Sequence, residues 1–363
     1  MESNIKTHAI LFWATAFMLF LPIIILPPNF QPSDWTRVIL FKIVLTSLVL
    51  LLLYRFFYKR DLSFFLPKKG TLFYLPVFVL LGYFGILILS TIFSQDPRFS
   101  VFGSPPRAGG ILNLFFFIVF GLLGAIFFNR KTWNTLIQVN FIAGVLASLL
   151  AIIQYFGLLK NIFLGFETGS TPSFLGNATF LAMYMVFLAF SSYTFFILEK
   201  NKKCKIAYGT LFFLFLFTVF VTGSRATYFG IIIGFAFYAL FYPKTLFQKR
   251  NNPIPWISPK KLAIFKAAFA VVILLVFALL IYVNVSTKLP RFIKSNKQLS
   301  HVIHNRLSFT VVWQDLVGTR LSAWKITSKA IEEKPILGWG PENFHVGFEK
   351  YFDPKLPPSM QRL

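Results

Sequence analysis

Charge is scarce in this chain, and negative charge scarcest of all. Charged residues fill 13% of 363 positions, against about 25% in a soluble domain. By contrast, 56% of residues are hydrophobic and the mean hydropathy is +0.68. Such a composition excludes a fold that hides its apolar surface in water. The single cysteine, Cys204, lies in the basic stretch 199–205, so neither a disulfide framework nor a thiolate metal site is available. Internal repeats and nucleotide-binding glycine loops are also missing. His301, His304 and His345 share no metal-ligand spacing and are read as solvated or packing histidines.

What is present is a series of apolar runs near the length of a membrane span. They fall at 9–26, 38–54, 72–93, 111–128, 136–156, 174–198, 206–221, 226–242 and 263–283. The fold class expected is therefore all-α, a polytopic bundle of about nine transmembrane helices over residues 1–284. Residues 285–363 form a second, partly helical segment outside the bundle. The first run is kept as a span because Pro27-Pro28 stands where a signal peptide would carry small cleavage-site residues.

The 36 basic against 12 acidic residues would fit a nucleic-acid binder if they were spread over a surface, but they concentrate in alternate connections. Lys6, the 55–69 connection, Arg130-Lys131, the 200–205 connection and the 244–266 stretch carry 18 of the 36. The opposite connections hold only Arg37, Arg98, Arg107, Lys160 and Arg225. The positive-inside rule then puts the N-terminus in the cytoplasm and residues after 284 on the extracytoplasmic side. No nucleic acid is expected as a partner; the lipid bilayer is.

No Asp or Glu falls in any span, which weighs against a proton-coupled transporter. Apart from Lys266 at the start of the last run, Lys42 is the one charged residue inside a span and is expected to snorkel. Gln138, Asn140 and Gln154 are read as interhelical hydrogen-bonding residues. In the tail, Leu321, Trp324 and Ile331 mark one face of a helix between 319 and 333, stopped by Pro335. Gly338-Trp339-Gly340-Pro341 makes a turn, and Phe344, Phe348, Tyr351 and Phe352 offer apolar surface for packing.

The outward arginines run against the charge trend. Thr222-Gly223-Ser224-Arg225 joins two spans almost without a loop, setting Arg225 at the N-terminus of the next helix, where free N–H groups, the helix dipole and a guanidinium favour a phosphate. The competing reading is a Ser224 cap with Arg225 reaching lipid headgroups. Arg107, within Gly103-Ser104-Pro105-Pro106-Arg107-Ala108-Gly109-Gly110, poses the same choice. Arg320 precedes Trp324 by one turn, where cation–π packing competes with ligand binding. Three such charges suit a lipid-linked diphosphate, one phosphate of which becomes a leaving group.

Several short segments, in order, resemble the O-antigen ligase and polymerase family. They are Ser94-Gln95-Asp96-Pro97, Phe102-Gly103-Ser104, Arg107-Ala108-Gly109-Gly110, Gly176-Asn177-Ala178 with Ala182, and Thr222-Gly223-Ser224-Arg225-Ala226. Arg320, Trp324, Pro335, Gly338, Trp339, Gly340, Pro341 and Phe344 then resemble the start of that family's large external loop. The resemblance implies a metal-independent, cofactor-free GT-C-class glycosyltransferase of the bacterial inner membrane. It would move a glycan from an undecaprenyl-diphosphate carrier to an acceptor hydroxyl on lipid A core, a repeat unit, another glycan or a protein. It assigns Arg225 and Arg320 to the diphosphate, with Arg107 as a third, and Gly338 and Gly340 to turns. A repeat-unit polymerase is the nearest alternative; a lipid-linked glycan flippase and a non-catalytic scaffold are the others. The family's His-Asn pair, whose histidine is proposed to activate the acceptor, has no counterpart in position before Leu363. His304-Asn305 comes too early and His345 lies inside the turn motif, so the sequence reads as a piece, or a truncated homologue, without its base.

The charge asymmetry yields a direct test. Single cysteines at 294, 202 and 250 in a Cys204→Ser background are expected to react with an impermeant thiol reagent from outside only at 294. Outside labelling at 202 but not at 294 would invert the topology.

Overall fold

The computed structural model describes residues 2–24, 34–59, 74–104, 109–157, 171–241 and 321–352. The span expected at 263–283 and the boundary at 284 lie outside them. Among the described residues every regular element is helical. The main helices are α1 (Glu2–Phe20), α2 (Asp34–Lys59), α3 (Tyr74–Ile92), α4 (Pro97–Phe102), α5 (Ile111–Phe127), α6 (Arg130–Tyr155), α7 (Ala178–Leu198), α8 (Lys202–Thr222), α9 (Arg225–Phe241), α10 (Ser322–Glu333) and α11 (Phe344–Lys350). Short 3-10 turns at Leu21–Ile23 and Ser173–Leu175 punctuate the chain.

Within α2, α6, α7 and α8 lie 4 helical segments long and apolar enough to cross a membrane; shorter apolar segments occur at Thr7–Ile23, Val77–Ile92, Ile111–Phe127 and Ala226–Phe235. Together they make a multi-pass membrane protein.

Helix starts follow local chemistry. Asp96, Asn129, Asn177 and Asn201 each precede a helix, and each side chain accepts a first-turn N–H: from Phe99 at 2.9 Å, Thr132 at 2.9 Å, Thr179 at 2.8 Å and Lys203 at 2.9 Å. These caps explain why α6 and α8 begin earlier than the expected spans at 136 and 206. Apolar runs mark the hydrocarbon-crossing part, while a capped helix continues through its polar ends. The same extension places Arg55 inside α2, where it is buried and donates to Thr7 Oγ1 on α1, rather than in the following connection. Lys42 is half-buried with its ammonium 5.6 Å from the Phe116 ring centroid on α5.

Two buried clusters hold the bundle. One joins α1, α2 and α6 through Leu11, Phe41, Leu45, Leu52, Phe128 and Leu136. The other joins α6, α7 and α8 through Ala147, Leu181, Met185, Leu188, Phe215 and Val219. The second depends on the buried small stripe Ala143, Gly144, Ala147, Ser148 and Ala151 on α6, because helices in lipid associate by close van der Waals approach rather than by a hydrophobic force. Gln138, Asn140 and Gln154 of α6 all reach off their own helix. Gln138 Nε2 donates to Tyr208 Oη at 2.9 Å, Asn140 Oδ1 accepts from Tyr184 at 2.6 Å, and Gln154 Oε1 accepts from Ser173 N at 2.9 Å.

A Cβ at Gly144 would run into Leu188 Cδ1 and come within 3.0 Å of Phe215 Cε1, both fully buried. The helix-propensity gain of Gly→Ala is about 1 kcal/mol, whereas overpacking costs about 1–3 kcal/mol. Gly144→Ala is therefore expected to lower the melting temperature in detergent. Gly121→Ala, with nothing within 4 Å, should leave it unchanged or raise it.

Candidate functional site

The tail forms a small unit of its own around Trp339. Gly338, at φ 67°, and Gly340, at φ 96°, take left-handed conformations that side chains disfavour. Between them the Trp339 indole folds back to donate to Ala330 O at 3.0 Å, with Lys334 Nζ 4.4 Å from its ring centroid. Gly347 of α11 packs directly on Trp339 and Ala330. The Glu333 carboxylate clasps the two helices, accepting from Lys350 Nζ at 2.7 Å and Tyr351 Oη at 2.6 Å. These bonds, the lysine's first, hold the Glu333 pKa below its ordinary value and raise those of Lys350 and Tyr351.

Leu321, Trp324 and Ile331, expected on one helical face, lie together on the exposed face of α10, while Ile326 and Ala330 are its buried residues. The inward face uses a small residue, Ala330, to admit Trp339, which hydrophobic periodicity alone does not register. Phe348 is buried, flanked by Phe344 and Phe352 at ring distances of 5.8 Å on either side.

This unit docks on the connection between α3 and α5. Ser90 Oγ donates to Leu337 O at 2.6 Å, Gln95 N to Trp339 O at 3.3 Å, and Ser100 Oγ to Pro341 O at 3.0 Å. Asn343, fully buried, shares its amide N–H groups among Ser100 Oγ at 2.6 Å, Asp96 O at 3.2 Å and Pro341 O at 3.2 Å. Gly340 lies against Ser94 and Ser100 so closely that any Cβ would collide. Next along the turn, Glu342, itself at φ 64°, lays its carboxylate over Gly109 and accepts from Ser104 Oγ at 3.3 Å. His345 stands edge-on to Phe99 with centroids 5.5 Å apart, and its Nδ1 is 3.3 Å from Glu342 O. Two segments separated by more than 200 residues, singled out independently in the sequence, thus form one interface.

A second polar cluster surrounds the α8–α9 turn. Gly223, at φ 71°, ends α8, and its N–H bonds Phe220 O. Ser224 N donates to Thr222 Oγ1 at 3.3 Å and Ser224 Oγ accepts from Thr227 Oγ1 at 2.8 Å. Arg225 is the first residue of α9. Thr171 Oγ1 ties the preceding loop to Val221 O at 3.1 Å. Ser173 Oγ donates to Ala147 O at 2.6 Å, and Arg37 bridges Ile24 O and Phe174 O. Arg107 and Arg320 lie outside the described residues, as do His301 and His304. Arg320 directly precedes the described tail unit. Among the described residues no group of three or more His, Cys, Asp or Glu side chains could hold a metal ion.

Sequence reasoning missed Asn343, Ser100, Glu342 and Arg37. Only Asp96-Pro97 carried a local signal, an N-cap followed by Pro at the first helical position. The buried serines and asparagine are short polar residues whose role exists only once the two segments meet.

The interface gives a prediction. Gly340→Ala and Asn343→Leu are expected to release the tail from the α3–α5 connection. Limited proteolysis between 335 and 352 should accelerate at least about 10-fold if docking loses roughly 1.4 kcal/mol or more, as an unsatisfied buried polar group or a steric clash supplies. Unchanged cleavage in both variants would show that the clasp does not hold the tail.

No curated protein and no solved structure matches the chain. Residues 210–362, from within α8 through the docked tail, match the family model described as O-antigen ligase. With the multi-pass apolar helices and a tail signature seated on the α3–α5 connection, that match over the C-terminal part of the chain supports an O-antigen ligase-like family.

Proposed function

We propose that this protein transfers a glycan from an undecaprenyl-diphosphate carrier to an acceptor hydroxyl at the extracytoplasmic face of the bacterial inner membrane. The observation that carries the reading is the seating of the Gly338–His345 stretch on residues 94–109 within a chain matched to the O-antigen ligase family. Such a seat would bring the segment after Arg320 and the loop around Arg107 to one end of the bundle. The α8–α9 turn belongs to that same end if α3 through α9 cross in alternation.

In the reaction proposed, the acceptor oxygen attacks the anomeric carbon, the bond from that carbon to the carrier diphosphate breaks, and the hydroxyl proton leaves to a base. The electron pair departs with the diphosphate, so negative charge grows on the leaving group. Arginine is suited to that charge because its planar fork meets phosphate oxygens with two parallel bonds and stays ionised. Arg225 would act from the first turn of α9, with the helix dipole adding to its field. Arg320 and Arg107 would complete the cradle. Fixed positive charge of this kind works by preorganisation, which the clasp of Asn343 and Gly340 on residues 94–100 would favour.

Transfer by the purified complete protein from a defined undecaprenyl-diphosphate glycan tests this directly. Arg225→Ala is expected to reduce the rate about 100- to 1000-fold, the usual cost of one preorganised charge contact. Arg225→Lys should also be strongly impaired, since a point charge replaces a fork. Normal insertion and an unaltered proteolytic pattern would show that folding is intact. Near-normal transfer by Arg225→Ala would remove Arg225 from the site, and lipid A core, repeat-unit and protein acceptors offered in parallel would separate ligase from polymerase chemistry.

A further inference from the structure

A cavity of ≈ 470 Å³ opens between α6 and α7, at the end of the bundle away from the α8–α9 turn, lined in part by Arg130, Asn134, Gln138, Ser191, Thr194 and Glu199. Three of these, Arg130, Asn134 and Gln138, recur at four-residue intervals and so form one stripe along α6. Gln138 lies eight residues into the helix, about 12 Å from its start at 1.5 Å per residue, and is exposed along with Asn134 and Thr194. A polar stripe on an outward face of an apolar span is costly in hydrocarbon unless polar groups occupy it.

The protein satisfies this stripe only in part. Gln138 spends one amide hydrogen on Tyr208 Oη at 2.9 Å. Glu199 Oε1 accepts from Lys200 N at 2.8 Å and Asn201 N at 2.9 Å, so its second oxygen remains available. Arg130 and Glu199, opposite charges at one cavity, do not pair with each other among the described ion pairs.

We propose that this groove binds the headgroup of a phospholipid carrying a primary ammonium. The phosphate would meet Arg130 and the ammonium would meet Glu199. Gln138 and Asn134 would meet the glycerol and ester oxygens, and acyl chains would run over Ile137 and Phe195, which also line the cavity. Charge selects this class: a purely anionic headgroup would set a second negative charge against Glu199, and a quaternary ammonium has no hydrogen to donate to a carboxylate. The charge asymmetry of the sequence assigns this end to the cytoplasmic leaflet, far from the glycan-transfer site, so the groove does not depend on that reading.

The test uses the full chain in nanodiscs of equal ethanolamine- and choline-headed phospholipid, with retained lipid quantified by mass spectrometry after re-extraction into mild detergent. Wild type is expected to retain the ethanolamine lipid roughly three- to five-fold over the choline lipid, the discrimination a half-exposed charge contact supports. Glu199→Gln keeps the carbonyl that accepts from Lys200 and Asn201, and should bring the ratio to parity with total retention preserved. Arg130→Ala should lose retention of both lipids. A photoactivatable ethanolamine lipid is expected to crosslink wild type within 134–138 and 191–195, a readout that needs no variant to fold. Parity in wild type, enrichment untouched by Glu199→Gln, preferential retention of an anionic lipid, or crosslinks confined to other helices would each overturn the proposal.

Discussion

Inside hydrocarbon no water is available to a peptide group, so each backbone N–H and C=O must find its partner within the protein. The bundle is built around that requirement. It makes every described apolar run helical and lets α6 carry Gln138, Asn140 and Gln154 only because each reaches a partner off its own helix. The same constraint governs the helix ends, where Asx caps at 96, 129, 177 and 201 absorb first-turn donors. Close packing then takes over from hydrophobic force, and the small stripe of α6 is what allows α7 and α8 to approach it.

Beyond the spans the rule relaxes, and polar groups become the means of assembly. The tail meets the α3–α5 connection chiefly through hydrogen bonds to backbone carbonyls and serine hydroxyls, with glycines opening the space for them. A purely apolar contact would tolerate sliding. A buried asparagine matched to Ser100, Asp96 and Pro341 does not, because any shift leaves polar groups unpaired at a cost of about 1–3 kcal/mol each. Such an interface suits a site whose charges must stay at a fixed spacing.

Composition, hydropathy period and Lys/Arg placement were enough for the membrane class and the helices, because the bilayer turns a one-dimensional property, apolar length, into a structural one. The glycine turn at 338–340 and the stop before Pro335 were equally legible, since positive φ and a missing N–H act within a few residues. The inward face of α10, the burial of Arg55 and the clasp of Asn343 on Ser100 were not. Ala330 became an inward residue only because Trp339 folds onto it. Arg55 is buried because α2 continues past its apolar run to Thr7, and Ser100 has a partner only where a segment 243 residues away arrives. Local chemistry along the chain determined which stretches are helices and where they turn. The pairing of distant polar groups was decided by tertiary structure, because a hydrogen bond between two short side chains leaves no period, run or spacing in either segment alone.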